Sequence, residues 1–146
     1  MAVIDIARET VVTVDPDATL SDVVDTMRTE RVGSVIVVSD DEPIGLVSDR
    51  DLALEVLARN GATQETPVAE LVADELLTVQ ADTGIYDLLD LMSTKGVRRL
   101  PVVDDDDLVG IVSLSDVVVL LGMELQHVAN TIRAVSPPYE QLVTDR

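Results

Sequence analysis

The sequence predicts a mixed α/β (α+β) protein made of two β-α-β-β-α units packed about a pseudo-twofold axis. Three observations predict it. An ungapped internal repeat runs at a constant offset of 65 residues: Thr13-Val14 meets Thr78-Val79, Asp22 meets Asp87, Met27 meets Met92, Val37-Val38 meets Val102-Val103, and Gly45 meets Gly110. Self-similarity on that scale marks a duplicated unit whose apolar face needs its neighbour. Within each copy, short apolar runs of strand length alternate with stretches of helical period. The chain, 146 residues and 47% hydrophobic, has the size of one ordinary domain or of two half-size units sharing a core.

Taken in order, Val3 to Arg8 is a lead-in of one helical turn, and Val11 to Val14 a brief strand ended by the turn signal Asp15-Pro16. Thr19-Leu20-Ser21-Asp22 opens a helix as a capping box, because the threonine hydroxyl and the aspartate each satisfy a backbone N–H of the first turn. Leu20, Val23, Val24 and Met27 then recur at helical spacing. The helix is expected to stop near Arg31-Val32-Gly33, with the glycine in the left-handed C-cap conformation. Val35 to Val38 and Ile44 to Val47 form a hairpin whose tip is Asp40-Asp41-Glu42-Pro43. Asp49 to Asn60 is the second helix, with Leu52, Val56 and Leu57 apolar, and Asn60-Gly61 ends it.

The second copy repeats the plan. Gln64 to Pro67 links, Val68 to Val72 is another lead-in, and Leu76 to Val79 is the short strand. Ile85, Leu88, Leu89 and Met92 make the buried stripe of its helix. Leu100 to Val103 and Leu108 to Val112 form a hairpin around Asp104 to Asp107. The last helix, begun near Ser115, runs to about Ala134 and is stopped by Ser136-Pro137-Pro138; Tyr139 to Arg146 is a tail. The domain boundaries expected are 1–62 for unit 1 with its lead-in, 63–122 for unit 2, and 123–146 for a helical extension and tail.

Each hairpin runs into the same corner. Gly110-Ile111-Val112-Ser113-Leu114-Ser115-Asp116 is the twin of Gly45-Leu46-Val47-Ser48-Asp49-Arg50-Asp51. Two readings of its polar positions stand side by side. Ser48 and Ser113 are good N-caps, each answered by an acid three residues on. Equally, a serine hydroxyl and free N–H groups at a helix N-terminus suit a phosphate, and a nearby carboxylate can accept both hydroxyls of a ribose. The shared register of the two copies adds weight to the second reading.

Composition narrows the function classes. The formal net charge is −18, from 28 acids against nine arginines and a single lysine. That balance argues against nucleic acid or an anionic membrane as partner, both of which need a cationic footprint. It points to a protein adapted to high salt, as in a halophilic archaeon, where a screening length of about 3 Å at 1 M salt quenches repulsion among surface acids; the alternative is an acidic protein of ordinary cytoplasm. There is no cysteine, hence no disulfide framework and no thiolate metal site. No stretch has the length and apolarity of a membrane span, and the start Met1-Ala2-Val3-Ile4-Asp5 lacks the basic region of a signal peptide, so a cytoplasmic location is expected. Four consecutive acids at Asp104 to Asp107 read as a solvated tip, and the lone His127 has no second histidine to share a metal. No Ser/His/Asp set, glycine-rich phosphate loop or paired-carboxylate spacing is visible; no catalytic residue and no metal ligand is assigned, and no enzyme is expected.

With those residues in hand, the chain resembles a tandem pair of CBS domains, a Bateman module, over about Val3 to Val119. The likeness rests on the pattern G-h-h-S/T-x-x-D, with h apolar, in both copies, and on Val97-Arg98-Arg99-Leu100-Pro101-Val102-Val103-Asp104, close to the family's x-R-x-P-V-V-D. The first copy departs from the latter, with Ile36 at the proline position and Ser39 in place of the aspartate. What the resemblance implies is a stand-alone regulatory module binding an adenosine-containing ligand (AMP, ATP, NAD or S-adenosylmethionine type) in clefts between the units, with no required cofactor. Carried over position by position, one cleft holds Ser113, Ser115 and Asp116 with Val12, Val32, Gly33 and Ser34. The other holds Ser48, Arg50 and Asp51 with Leu77, Val97, Arg98 and Arg99. The aspartates grip ribose, the serines and arginines phosphate, and the apolar residues the base.

On that assignment the second cleft concentrates three arginines and favours ligands with more phosphate, while the first favours ligands of low charge. The resemblance also implies a homodimer, with contacts expected at Leu52, Val56, Val117 and Leu121, and an unidentified protein target. The alternative is a dimerisation or interaction module with empty clefts; nucleotide-dependent stabilisation distinguishes the two.

Overall fold

The computed structural model describes residues 1–58 and 61–136. Two three-stranded sheets carry the fold. In unit 1, β1 (Thr13–Val14) lies parallel to β2 (Ser34–Ser39), which pairs antiparallel with β3 (Glu42–Ser48). In unit 2, β4 (Val79–Gln80), β5 (Arg99–Asp104) and β6 (Asp107–Ser113) repeat that order. Even the irregularity is repeated: the register slips between Val37 and Val38 in one hairpin and between Val102 and Val103 in the other. The turns are tighter than the sequence suggests. Asp40 and Asp41 both take positive φ (50° and 65°), so a two-residue turn closes the first hairpin and Glu42-Pro43 already belong to β3.

The helices are α1 (Leu20–Glu30), α2 (Asp49–Leu57), α3 (Ile85–Lys95) and α4 (Leu114–Val135). Thr19, Ser48 and Ser113 each cap a helix and accept from the N–H three residues on, and the reciprocal aspartate completes the box every time. One expectation about helix ends is corrected. The left-handed residue after α1 is Arg31 (φ 55°), not Gly33, and its repeat partner Gly96 (φ 66°) ends α3. Glycine does this at little steric cost, whereas an arginine there is strained. The second helix stops at Leu57, earlier than expected, because Ala58 turns extended. Asn60, Pro137-Pro138 and the tail to Arg146 lie outside the described residues.

Two apolar clusters form the core, one per unit, built from Val, Leu and Ile with Met27 and Met92 filling in. Their composition shows a crossover. Val3, from the lead-in before unit 1, is fully buried among Leu88, Leu100 and Val112 of unit 2. Val68, from the lead-in before unit 2, is fully buried among Leu20, Val23 and Val47 of unit 1. Backbone bonds fix both exchanges: Val3 N–H to Thr83 O at 2.7 Å, and Val68 N–H to Ala18 O at 2.8 Å. Glycine makes the approach feasible. A Cβ on Gly110 would sit 3.0 Å from the Arg8 carbonyl oxygen, and one on Gly45 would sit 2.6 Å from a methyl of Val72. Leu52 and Val117, expected at a dimer contact, instead point into the cores of their own units (5% and 1% exposed) because they face the sheet from the first turns of α2 and α4. Val56 and Leu121 are exposed.

Candidate functional site

The crossover places the first lead-in beside the β6–α4 corner, and a cavity of about 1120 Å³ opens there. Arg8 and Ile111 exchange both backbone hydrogen bonds (Arg8 N–H to Ile111 O 2.9 Å, Ile111 N–H to Arg8 O 3.0 Å), which fixes the wall from Arg8 to Val12. Ser113 caps α4, and its extended backbone turns Leu114, Ser115 and Asp116 toward the opening. From unit 1 come Val12, Val32, Gly33 and Ser34. The structure therefore brings together all seven residues grouped on the first cleft.

Asp116 is the most engaged polar group of the cavity. Its Oδ2 accepts from the Ser113 N–H (2.8 Å) and the Ser113 hydroxyl (2.9 Å), while Oδ1 faces the Arg8 guanidinium at 3.3 Å. The Asp116 side chain is 13% exposed, against 68% for Arg8. One carboxylate oxygen is thus committed to the corner itself. The other is held by a mobile-length, solvent-facing arginine whose exposed ion pair is worth about 0–1 kcal/mol, so an incoming hydroxyl can compete for it.

Arg98 and Arg99, which the resemblance groups with the other cleft, line this cavity. The reason is geometric. The segments before β2 and β5 each lie against their own corner, with Gly33 O accepting from Asp49 N–H (2.9 Å) and Arg98 O from Leu114 N–H (2.8 Å). These segments meet near the pseudo-axis, where Gly33 has no side chain. The Arg99 guanidinium and the Asp49 carboxylate both reach into that gap, Nη2 3.5 Å and Oδ2 3.4 Å from where a Gly33 Cβ would lie. With Arg8 and Arg31 also in the lining, four arginines surround a cavity whose acids are Glu9, Glu30 and Asp116. The expectation of little positive charge beside Ser113 and Asp116 is therefore reversed. In a chain of net charge −18, this is where cations gather.

Ser48, Arg50, Asp51, Leu77 and Val97 do not line this cavity. At their corner Ser48 and Asp51 satisfy each other (2.9 and 3.1 Å), and Asp49 accepts from the Arg50 N–H (2.8 Å). A second, shallower cavity lies at the first hairpin tip, among Asp15, Asp17, Asp22 and Asp40. Residues the motif reading missed include Arg8, Glu9, Thr10 and Arg31. Arg8 has Ala73 as its repeat partner, so the repeat gave no signal for it; the scarcity of cations was the only available one.

Two β-α-β-β-α units with a serine- and arginine-lined cleft between them are the architecture of a tandem domain pair. The chain belongs to the CBS-domain family: the model of the CBS domain matches residues 3–58 and 68–122, one match per unit. A protein of Methanopyrus kandleri is 36% identical over 115 residues, 77% of this chain and 59% of that protein. The CBS domain-containing protein YhcV of Bacillus subtilis is 38% identical over 109 residues, 75% of this chain and 77% of YhcV. The CBS-domain pair of protein MJ0100, solved in complex with 5′-methylthioadenosine and S-adenosyl-L-methionine, superposes with a TM-score of 0.75 at 22% identity, covering 85% of this chain and 98% of that one. At that identity the likeness is one of fold. No helix of the described residues is long and apolar enough to cross a membrane.

Proposed function

We propose that this CBS pair is a sensor for an adenosine-containing ligand that carries phosphate, bound in the cleft of Ser113 and Asp116. The observation that carries the reading is the convergence of Asp116, Ser113, Ser115 and four arginines on one cavity between the units. Asp116 Oδ1 accepts a ribose hydroxyl, displacing Arg8. The freed Arg8 joins Arg98 and Arg99 on the phosphates, where guanidinium forks match phosphate oxygens. Val12, Val32 and Val118 offer the apolar wall for a base. Occupancy bridges the two units and the first lead-in, so the ligand ties together segments that are otherwise joined by few bonds. A second copy of the chain, meeting the exposed apolar faces of α2 and α4, receives the change; Leu54, Leu57 and Leu121 are all more than half exposed. The fold-sharing pair with 5′-methylthioadenosine and S-adenosyl-L-methionine supports the adenosyl class.

Melting the protein in molar salt with AMP, ADP, ATP, NAD and S-adenosylmethionine tests the proposal. The phosphate-bearing ligands raise the melting temperature, and ATP more than the sulfonium compound. Indifference to all five favours the ligand-free interaction module, in which the Arg8–Asp116 pair is the permanent occupant of the cleft.

A further inference from the structure

The last helix outruns the unit it belongs to. α4 has 22 residues and is about 33 Å long at 1.5 Å per residue. The family match ends at residue 122, so the final turns lie beyond the repeat. Only the start of α4 is anchored: Val117 is 1% exposed, whereas every residue from 121 to 128 is exposed. A helix projecting alone into water over that length is marginal, so its order needs a second surface.

The pattern of its apolar residues says which surface. Leu114, Val118, Leu121, Leu125, Val128, Ile132 and Val135 recur at alternating steps of four and three, and all are exposed, Leu125 at 69% and Val135 at 73%. From Glu124 onward the stripe carries all the large apolar residues, flanked by Glu124, Gln126, His127, Asn130, Thr131 and Arg133; Met123, just before it, is exposed off the stripe. A narrow stripe of 3.5-residue period fits another helix in a two-stranded coiled coil, not the broad face of a globular core. The polar side is knitted to itself: Gln126 and Arg133 both donate to the Asn130 side-chain oxygen at 2.9 Å. One position beside the stripe in each heptad is small (Ser115, Gly122, Ala129), which lets a second helix come close. Charge selects the partner. From residue 117 to 136 the only formal charges are Glu124 and Arg133, in a chain with 28 acids. Two copies therefore meet along this face without the acidic repulsion that opposes association elsewhere.

We infer that the extension of α4 beyond residue 122 pairs with the same helix of a second copy as a coiled coil. This deepens the pairing proposed above and rests on it for the presence of that copy. The test compares the full chain with Leu125→Glu/Ile132→Glu, which charges the stripe, and with Gln126→Glu/Asn130→Glu, which adds the same charge to the outer face. Light scattering in molar salt gives the mass, and amide hydrogen exchange across residues 122–135 is followed over a dilution series. The inference expects the parent and the outer-face variant at twice the chain mass, with exchange at 122–135 slowed as concentration rises. In the stripe variant that exchange is about tenfold faster or more, while exchange in β2 and β5 is unchanged. A doubled mass with 122–135 unprotected overturns the coiled coil and leaves pairing through α2 intact; a monomeric parent overturns both. Protection that does not change on dilution overturns it too, since the stripe is then covered from within the same chain.

Discussion

Replacing Asp116 by alanine, and making the same change at Asp51, separates ligand recognition from helix capping, because the repeat supplies its own control. Both aspartates close a capping box with the serine three residues before: 2.8 and 3.3 Å for Ser113–Asp116, 2.9 and 3.1 Å for Ser48–Asp51. Losing such a cap costs about 1 kcal/mol, or about 4 °C in a chain of this length. Asp116 also loses the Ser113 hydroxyl and the Arg8 guanidinium, so its variant melts lower, by roughly twice as much. Affinity diverges further. Asp116 lines the cavity and Asp51 does not. A hydrogen bond from ribose to a carboxylate contributes about 1.5–3 kcal/mol, equivalent to about 10- to 150-fold in Kd. The exposed Arg8 contact that the ligand displaces subtracts at most about 1 kcal/mol from this. The net loss is then about 0.5–3 kcal/mol, so calorimetric titration of ATP into each variant in molar salt should show Asp51→Ala unchanged from the parent and Asp116→Ala weakened by about 2- to 150-fold. Equal weakening in the two variants would refute the assignment of the site.

Three further outcomes follow from the backbone and the surface. Gly110→Ala drives a methyl toward the Arg8 carbonyl, 3.0 Å away, and should destabilise by about 1–3 kcal/mol while exposing the first lead-in to protease; unchanged melting and cleavage would contradict the close approach. Arg31→Gly should raise the melting temperature and Gly96→Ala lower it, each by about 1 kcal/mol in stability, since both positions hold left-handed φ (55° and 66°). Stability should fall as sodium chloride is removed, because a net charge of −18 is accompanied by a single ion pair among the described residues and screening lengthens to about 30 Å at 0.01 M salt; a melting temperature flat from molar to millimolar salt would show that the acids serve another purpose.

The order of elements was legible because it depends on local signals that the chain states twice. The capping boxes at Thr19, Ser48 and Ser113, the apolar strand runs and the glycines at 45 and 110 carry it. The first cleft was legible for the same reason: its residues sit on motifs. What stayed hidden depends on where a side chain goes after the backbone is placed. Arg99 belongs by sequence to the pre-strand segment of unit 2, yet the missing Gly33 side chain draws its guanidinium across the pseudo-axis. The crossover of the lead-ins was hidden too, since Val3 and Val68 are apolar in either arrangement and only packing decides which core each one closes. Arg31 shows a third limit. A nearby glycine drew the helix stop to Gly33, while register put the left-handed residue at Arg31.

Ligand binding at the β6–α4 corner is tested most directly by titrating isotopically labelled protein with ATP in molar salt and following backbone amide resonances. Saturable shifts are expected at Ser113, Leu114, Ser115 and Asp116 together with Gly33 and Ser34 across the cleft, while Ser48 to Asp51 stay still. Shifts centred on Ser48 to Asp51, or no saturable shift with any of the adenosyl ligands, would contradict it.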